Sequence, residues 1–144
     1  MQGLYFDELS IGQSAETTHV VGAADIEAFA AVSGDVNPVH LDEAYAKATT
    51  FGGRIAHGML SAAYISAVLG NQLPGPGAIY LSQSLRFRRP VKIGDAVTAK
   101  VTVKSLDAEK SHALFETACL VNGKTVLDGE ALILAPRRDA PRAK

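Results

Sequence analysis

The run Met59-Leu60-Ser61-Ala62-Ala63-Tyr64-Ile65-Ser66-Ala67-Val68-Leu69 constrains this chain more than any other stretch, because it is apolar on nearly every face and opens at Gly58. A helix of that pattern is surrounded by protein. It falls short of a membrane span, which takes about 20 mostly apolar residues, and Ser61, Tyr64 and Ser66 interrupt it. The rest of the chain must therefore wrap it, and the apolar period of the C-terminal half says how. From Ala78 onward apolar residues alternate: Ile79, Leu81, Leu85 and Phe87, then Val97, Val101 and Val103, then Ala113 to Val121, then Thr125 to Leu134. Asn122-Gly123 is a two-residue hairpin signal between the last two, and Glu16 to Val21 adds an early strand. The expected class is α+β, a largely antiparallel sheet with one apolar helix lying across it.

Nothing in the chain marks a second domain, and 144 residues with 47% hydrophobic content supply one core. The domain is expected over 1–136. Beyond Pro136 the apolar period is lost, which predicts a mobile tail over 137–144. A net charge of -1 argues against a nucleic-acid surface. Arg86, Arg88, Arg89 and Lys92 still form a local basic cluster, enough for one phosphate-bearing ligand. On a strand Arg86 and Arg88 share a face and Arg89 lies opposite, so most of the cluster reads as a solvated edge. The N-terminus has no basic stretch followed by an apolar core, and the lone Cys119 cannot make an internal disulfide, so the cytoplasm is the expected compartment. No Cys/His spacing suggests zinc, no phosphate loop is present, and Gly75-Pro76-Gly77 reads as a turn.

The chemistry-bearing residues sit in two segments, Ser33-Gly34-Asp35-Val36-Asn37-Pro38-Val39-His40-Leu41-Asp42 and Gly53-Arg54-Ile55-Ala56-His57-Gly58-Met59-Leu60. Ahead of the first, Asp25 to Val32 has helical spacing that Gly34 can end. Pro38 lacks an amide hydrogen and drives Asn37 toward extended geometry, so Asp35 to His40 is expected as a stiffened, non-helical loop. Asp42 is expected to cap a short helix in which Glu43 and Lys47 pair. If Gly58 begins the apolar helix, its unpaired amide and the positive end of the helix dipole offer an anion site. An Asp and a His beside such a site are a layout for proton transfer next to a carbonyl.

Each residue also has a plainer reading. An Asp before Asn-Pro is commonly a turn former, and a lone loop His is commonly a satisfied structural group. His57 reads as a helix-start residue bonded to backbone, while His19 and His112 fall in strand patterns. Gly58 could serve close packing alone, Ser66 could bond back to its own helix, and Tyr64 could be core with its hydroxyl reaching a partner.

The ordered combination of Ser33-Gly34-Asp35, Asn37-Pro38, His40, Ile55-Ala56-His57-Gly58-Met59-Leu60, Phe87 to Pro90-Val91 and Gly94-Asp95 resembles the MaoC-like dehydratases, and in particular the (R)-specific enoyl-CoA hydratases. The resemblance covers most of the chain. It implies a hot-dog fold, a curved antiparallel sheet wrapped around a central apolar helix. It implies reversible hydration of a trans-2-enoyl-CoA to a (3R)-3-hydroxyacyl-CoA, with no metal or redox cofactor. By the same resemblance Asp35 and His40 are catalytic, Gly58 holds the thioester carbonyl, Ser66 (with Ser61 as the alternative) lies near the active-site water, and Asn37 supports the loop. Arg88 or Arg89 would be the CoA phosphate contact. Gly34 stands where relatives often carry a side chain. A homodimer with acyl-CoA at the subunit boundary is implied, with neither nucleic acid nor membrane as a partner.

The resemblance leaves other readings with the same residues. One is a dehydratase acting on hydroxyacyl groups of acyl carrier protein or on a branched hydroxyacyl-CoA. Another is a non-catalytic acyl-CoA-binding subunit. A hot-dog thioesterase fits less well, since hydrolysis does not call for the Asp-Asn-Pro-His arrangement.

Overall fold

The computed structural model describes residues 3–138. A single turn of 3-10 helix, Phe6–Glu8, leads to β1 (Ser14–Val20), α1 (Ala23–Ser33), α2 (Pro38–Leu41), α3 (Glu43–Lys47) and α4 (Gly58–Asn71). Five strands complete the chain: β2 (Ile79–Gln83), β3 (Arg86–Phe87), β4 (Ala96–Asp107), β5 (His112–Val121) and β6 (Lys124–Leu134). The strands form one antiparallel sheet in the order β1-β4-β5-β6-β2, with β3 also on β6. The α+β expectation and the strand order of appearance both hold.

Alternation makes the sheet two-faced, and one face is covered by α4. Val97, Ala99, Val101 and Val103 of β4 and Ala113, Phe115 and Cys119 of β5 are buried on that face. Leu60, Ile65, Val68 and Leu69 of α4 join them in one cluster. Burying a side chain such as Ile65 contributes roughly 1.5–3 kcal/mol, so the helix is held by packing rather than by propensity. Register shifts at Val103/Ser105 and Cys119/Leu120 put bulges where the sheet bends around the helix.

Three expectations are corrected in detail. The segment 79–87 is two strands: the ladder on β6 breaks between Gln83 and Arg86, where Ser84 still bonds Glu130 and its carbonyl passes so close to Gly129 that any β-carbon there would collide with it. Helix α4 is wrapped on one side only, since Ala63, Ser66, Ala67 and Gly70 remain exposed. The Asp35–His40 stretch is partly helical, because proline fits the first turn of a helix where no amide partner is needed, and α2 starts at Pro38. Asp42 does cap α3, accepting from the Tyr45 amide at 3.1 Å, whereas no ion pair between Glu43 and Lys47 occurs among the described residues. Asn122 and Gly123 both take positive φ at the β5–β6 turn, as a two-residue hairpin requires.

Of the expected tail, Arg137 donates to the Ala108 carbonyl oxygen at 2.8 Å and Arg138 reaches Asp7 at 3.5 Å; the remainder, 139–144, lies outside the described residues. Among the described residues no helix is long and apolar enough to cross a membrane.

Candidate active site

Helix α1 ends at Gly34, whose φ of 79° is the left-handed conformation that stops a helix, and its amide closes on Ala30. The next residue is Asp35. Its amide donates to Ser33 Oγ, and its carboxylate accepts from the Asn37 amide at 3.2 Å. Asn37 then caps α2 by accepting from the Val39 amide at 3.1 Å. One helical turn is enough to present His40, which is nearly buried.

The second segment is laced onto the first. Arg54 Nε donates to the His40 carbonyl oxygen at 2.6 Å, and the Ile55 amide donates to Val39 at 3.3 Å. In return His40 Nδ1–H donates to the Ile55 carbonyl oxygen at 2.8 Å, and His57 Nε2–H donates to the Asp35 carbonyl oxygen at 2.9 Å. A carbonyl oxygen only accepts, so these bonds fix which ring nitrogen carries the proton. His40 is left with its Nε2 lone pair free for chemistry. His57, as expected, is the residue that starts α4 and bonds backbone.

Gly58 is the first residue of α4, a helix of 14 residues, so its amide has no partner within the helix. The Ala56 amide donates to Val91 at 2.7 Å and thereby pins this helix start to the segment before β4. A cavity of about 380 Å³ opens here, with His40, His57, Gly58, Ser61, Phe87 and Arg89 among its walls. A second, of about 370 Å³, contains Asp35 and shares His40, His57, Gly58 and Phe87. A groove of about 630 Å³ continues from it past Phe29 and Met59 along α4 and β2.

The residues singled out in the sequence thus divide. Asp35, His40 and Gly58 line one cavity, and Asn37 holds the turn between the first two. Ser66 stands apart, exposed in the groove beside Tyr80 and Leu81. Ser61 faces the His40 cavity and is buried, its carbonyl oxygen accepting from Cys119 Sγ at 3.3 Å. Arg88 is paired with Asp128 at 2.8 Å, and Arg89 lines the same cavity mouth. Arg54, Ile55, Phe29 and Phe87 also shape the site, although their residue types assign none of them an individual role there. Ile55 acts through its backbone, which leaves no residue-type signal, and Arg54 acts through its guanidinium on the His40 carbonyl oxygen, a contact that only the fold brings about.

One donor atom from each of Asp35, His40 and His57 lies within 4.8 Å of the others. The two imidazoles, however, are stacked, with centroids 3.9 Å and planes 27° apart. In-plane lone pairs on stacked rings run side by side and do not converge on one ion, so the trio fits proton handling better than metal chelation. Away from the site, His19 pairs with Asp25 at 3.3 Å and stacks on Tyr64. The Gly22 amide, with help from His19, holds the Asp25 carboxyl below its ordinary range. Burial pushes the Tyr64 hydroxyl up to about 12.

A family model described as MaoC like domain matches residues 8–124. The chain is 54% identical over 134 residues to an (R)-specific enoyl-CoA hydratase of Rhodospirillum rubrum, covering 93% of each chain. It is 48% identical over 136 residues to a 3-hydroxybutyryl-CoA dehydratase of Methylorubrum extorquens, covering 94% of this chain and 87% of that one. Its structure resembles that of the R-hydratase PhaJ1 from Pseudomonas aeruginosa with a TM-score of 0.90 and 47% identity, over 99% of this chain and 96% of that one.

Proposed function

This chain belongs to the MaoC-like family, and we propose that it is an (R)-specific enoyl-CoA hydratase in which Asp35 and His40 carry the reaction. The observation that supports this reading most is the meeting of three groups in one cavity: the Asp35 carboxylate, the free Nε2 of His40 and the unpaired amide of Gly58.

The trans-2-enoyl thioester presents C3 as an electrophile, and adding water there drives negative charge onto the thioester oxygen. Water held between Asp35 and His40 Nε2 gives a proton to the pair as its oxygen bonds to C3. The pair returns one proton to C2 on the same face of the double bond, so no net proton is gained or lost. Because both groups act on one water, they work as a coupled unit. The Gly58 amide and the α4 dipole meet the thioester oxygen, where one such donor is worth roughly 3 kcal/mol. Dehydration is the same path reversed.

The three connected depressions suit an acyl-CoA. Arg89, and Arg88 beyond its bond to Asp128, stand at the mouth where the CoA phosphates would lie, and the apolar groove past Phe29 leads the acyl chain toward Ser66. That groove is open because β2 is a sheet edge carrying exposed Ile79, Tyr80 and Leu81. An apolar edge strand of this kind calls for a cover. A second copy of the chain is the cover that fits, giving a homodimer that works in the cytoplasm.

The test is to follow the ultraviolet absorbance of crotonyl-CoA with the wild type and Asp35→Asn, and to resolve the product's configuration. Decay to the 3R alcohol that the variant abolishes supports the reading. Inertness of the wild type toward both short and longer enoyl-CoAs would sink it.

A further inference from the structure

We propose that His57 is the positioning residue of the site, holding Asp35 and His40 in register through one ring. The inference rests on the hydration reading above and adds to it the group on which the pair leans. His57 is 2% exposed and starts α4, so its ring is anchored in the same helix end that presents Gly58. From there it does two things. Its Nε2–H holds the Asp35 carbonyl oxygen at 2.9 Å, and its face lies against the His40 ring, centroids 3.9 Å apart. Phe29 packs on it as well, at 4.8 Å, and limits its rotation.

The remaining nitrogen shows why an imidazole stands here. Nδ1 is buried and has no hydrogen-bond partner among the described residues. A phenyl ring would fill the space, stack on His40 and leave no orphaned nitrogen, and an unmade buried hydrogen bond is costly. What the imidazole supplies that a phenyl cannot is the single N–H toward Asp35. That bond matters because Asp35 is exposed and its own amide is tied only locally, to Ser33. His57 does not reach the reacting atoms itself: one nitrogen is committed to the carbonyl and the other is sealed from solvent. It acts through its neighbours, as the outer partners of catalytic groups do.

Two full-length variants separate the roles. His57→Phe keeps the stacked ring and removes the N–H; His57→Gln keeps an N–H donor at similar reach and removes the ring. With crotonyl-CoA, His57→Phe is expected to lose roughly ten- to a hundredfold in kcat with KM changed less than about twofold, the scale of a catalytic group misplaced by about 1 Å. Amide hydrogen exchange over 33–41 should quicken while the melting temperature and exchange elsewhere stay put. His57→Gln should recover part of both the rate and the protection of 33–41. Wild-type rate and exchange in His57→Phe would overturn the proposal. So would losses in both variants that track a general fall in melting temperature, the mark of a core residue only. Should His57→Phe not fold, His57→Gln decides alone: wild-type-like protection of 33–41 supports the N–H, and loss of it counts against. If even the wild type leaves enoyl-CoA untouched, the hydratase reading fails, and the exchange comparison still judges the positioning role.

Discussion

Phe87 lies across Gly58 so closely that a β-carbon on the glycine would come within 2.6 Å of the ring's Cδ1. The glycine is therefore fixed by its neighbour as well as by the helix start, and the half-exposed ring shares with it the wall of the Asp35 cavity. Gly58→Ala would push the ring outward. Because Phe87 is free to swing, stability should hold, and alanine is the better helix former. Activity should not: we expect kcat to drop at least tenfold, toward the roughly hundredfold loss of a missing oxyanion donor, with the melting temperature unchanged. Steady-state kinetics beside a thermal melt check this, and a normal kcat would mean that displacing the Phe87 ring leaves the site undisturbed, since alanine keeps the amide N–H.

Asn37 gives a prediction of a different kind, since it shapes the site without facing the substrate. Its side chain caps α2, and α2 carries His40. Asn37→Ala should cost about 1 kcal/mol of stability, and it should lower kcat several-fold by loosening His40. Asn37→Ser, whose hydroxyl can still accept from the Val39 amide, should restore most of both. Chemical denaturation and initial rates on the same preparations test the pairing; equal damage in the two variants would argue against capping as the cause.

How far the sequence spoke for itself depends on where the information is stored. Alternation from Ile79 to Leu134 and the apolar run after Gly58 are read directly as sheet and central helix, because burial imposes a period. That Asp35, His40 and Gly58 would meet was legible in their residue types and spacing, and the structure does bring the three to one cavity. The helical turn at Pro38 was not: the same proline stiffens a loop or opens a helix, and the choice was made by Asn37 capping and by the clamp from Arg54 and Ile55, which come from the other segment. The open face of α4 was hidden for a related reason. Ala63, Ser66 and Ala67 read as interior, yet nothing among the described residues covers them.

That open face predicts the effect of a charge at the sheet edge. Leu81 is exposed on β2 and walls the groove with Ser66. Leu81→Arg should leave the single chain folded and block pairing of two copies, since a cation facing an apolar interface is not offset by any partner. Sedimentation should then show a monomer in place of a dimer, with hydration slowed at least tenfold because the acyl groove loses a wall. A variant that remains dimeric, or a wild type that sediments as a monomer, would contradict the homodimer.

The last prediction concerns pH and the core. Cys119 is fully buried on β5, donates to the Ser61 carbonyl oxygen, and has its thiol pushed by burial from 9.0 up to about 12. For a thiol whose folded value is raised, the stabilisation is fully present below the unfolded value of 9.0 and drains away as pH climbs toward 12, because unfolding then releases a proton. One such group tilts the stability curve by up to about 1.4 kcal/mol per pH unit in that window. Tyr64, also raised to about 12 by desolvation, steepens the upper part of the same decline. Cys119→Ala should be less stable than the wild type near neutrality, having left a small void next to α4. Its deficit should shrink as the pH rises above 9.0, since the alanine has no proton to release. Urea unfolding at a series of pH values measures the two curves directly. Parallel curves would mean that the thiol is ionised no more easily unfolded than folded, and that its burial carries no pH-dependent share of the stability.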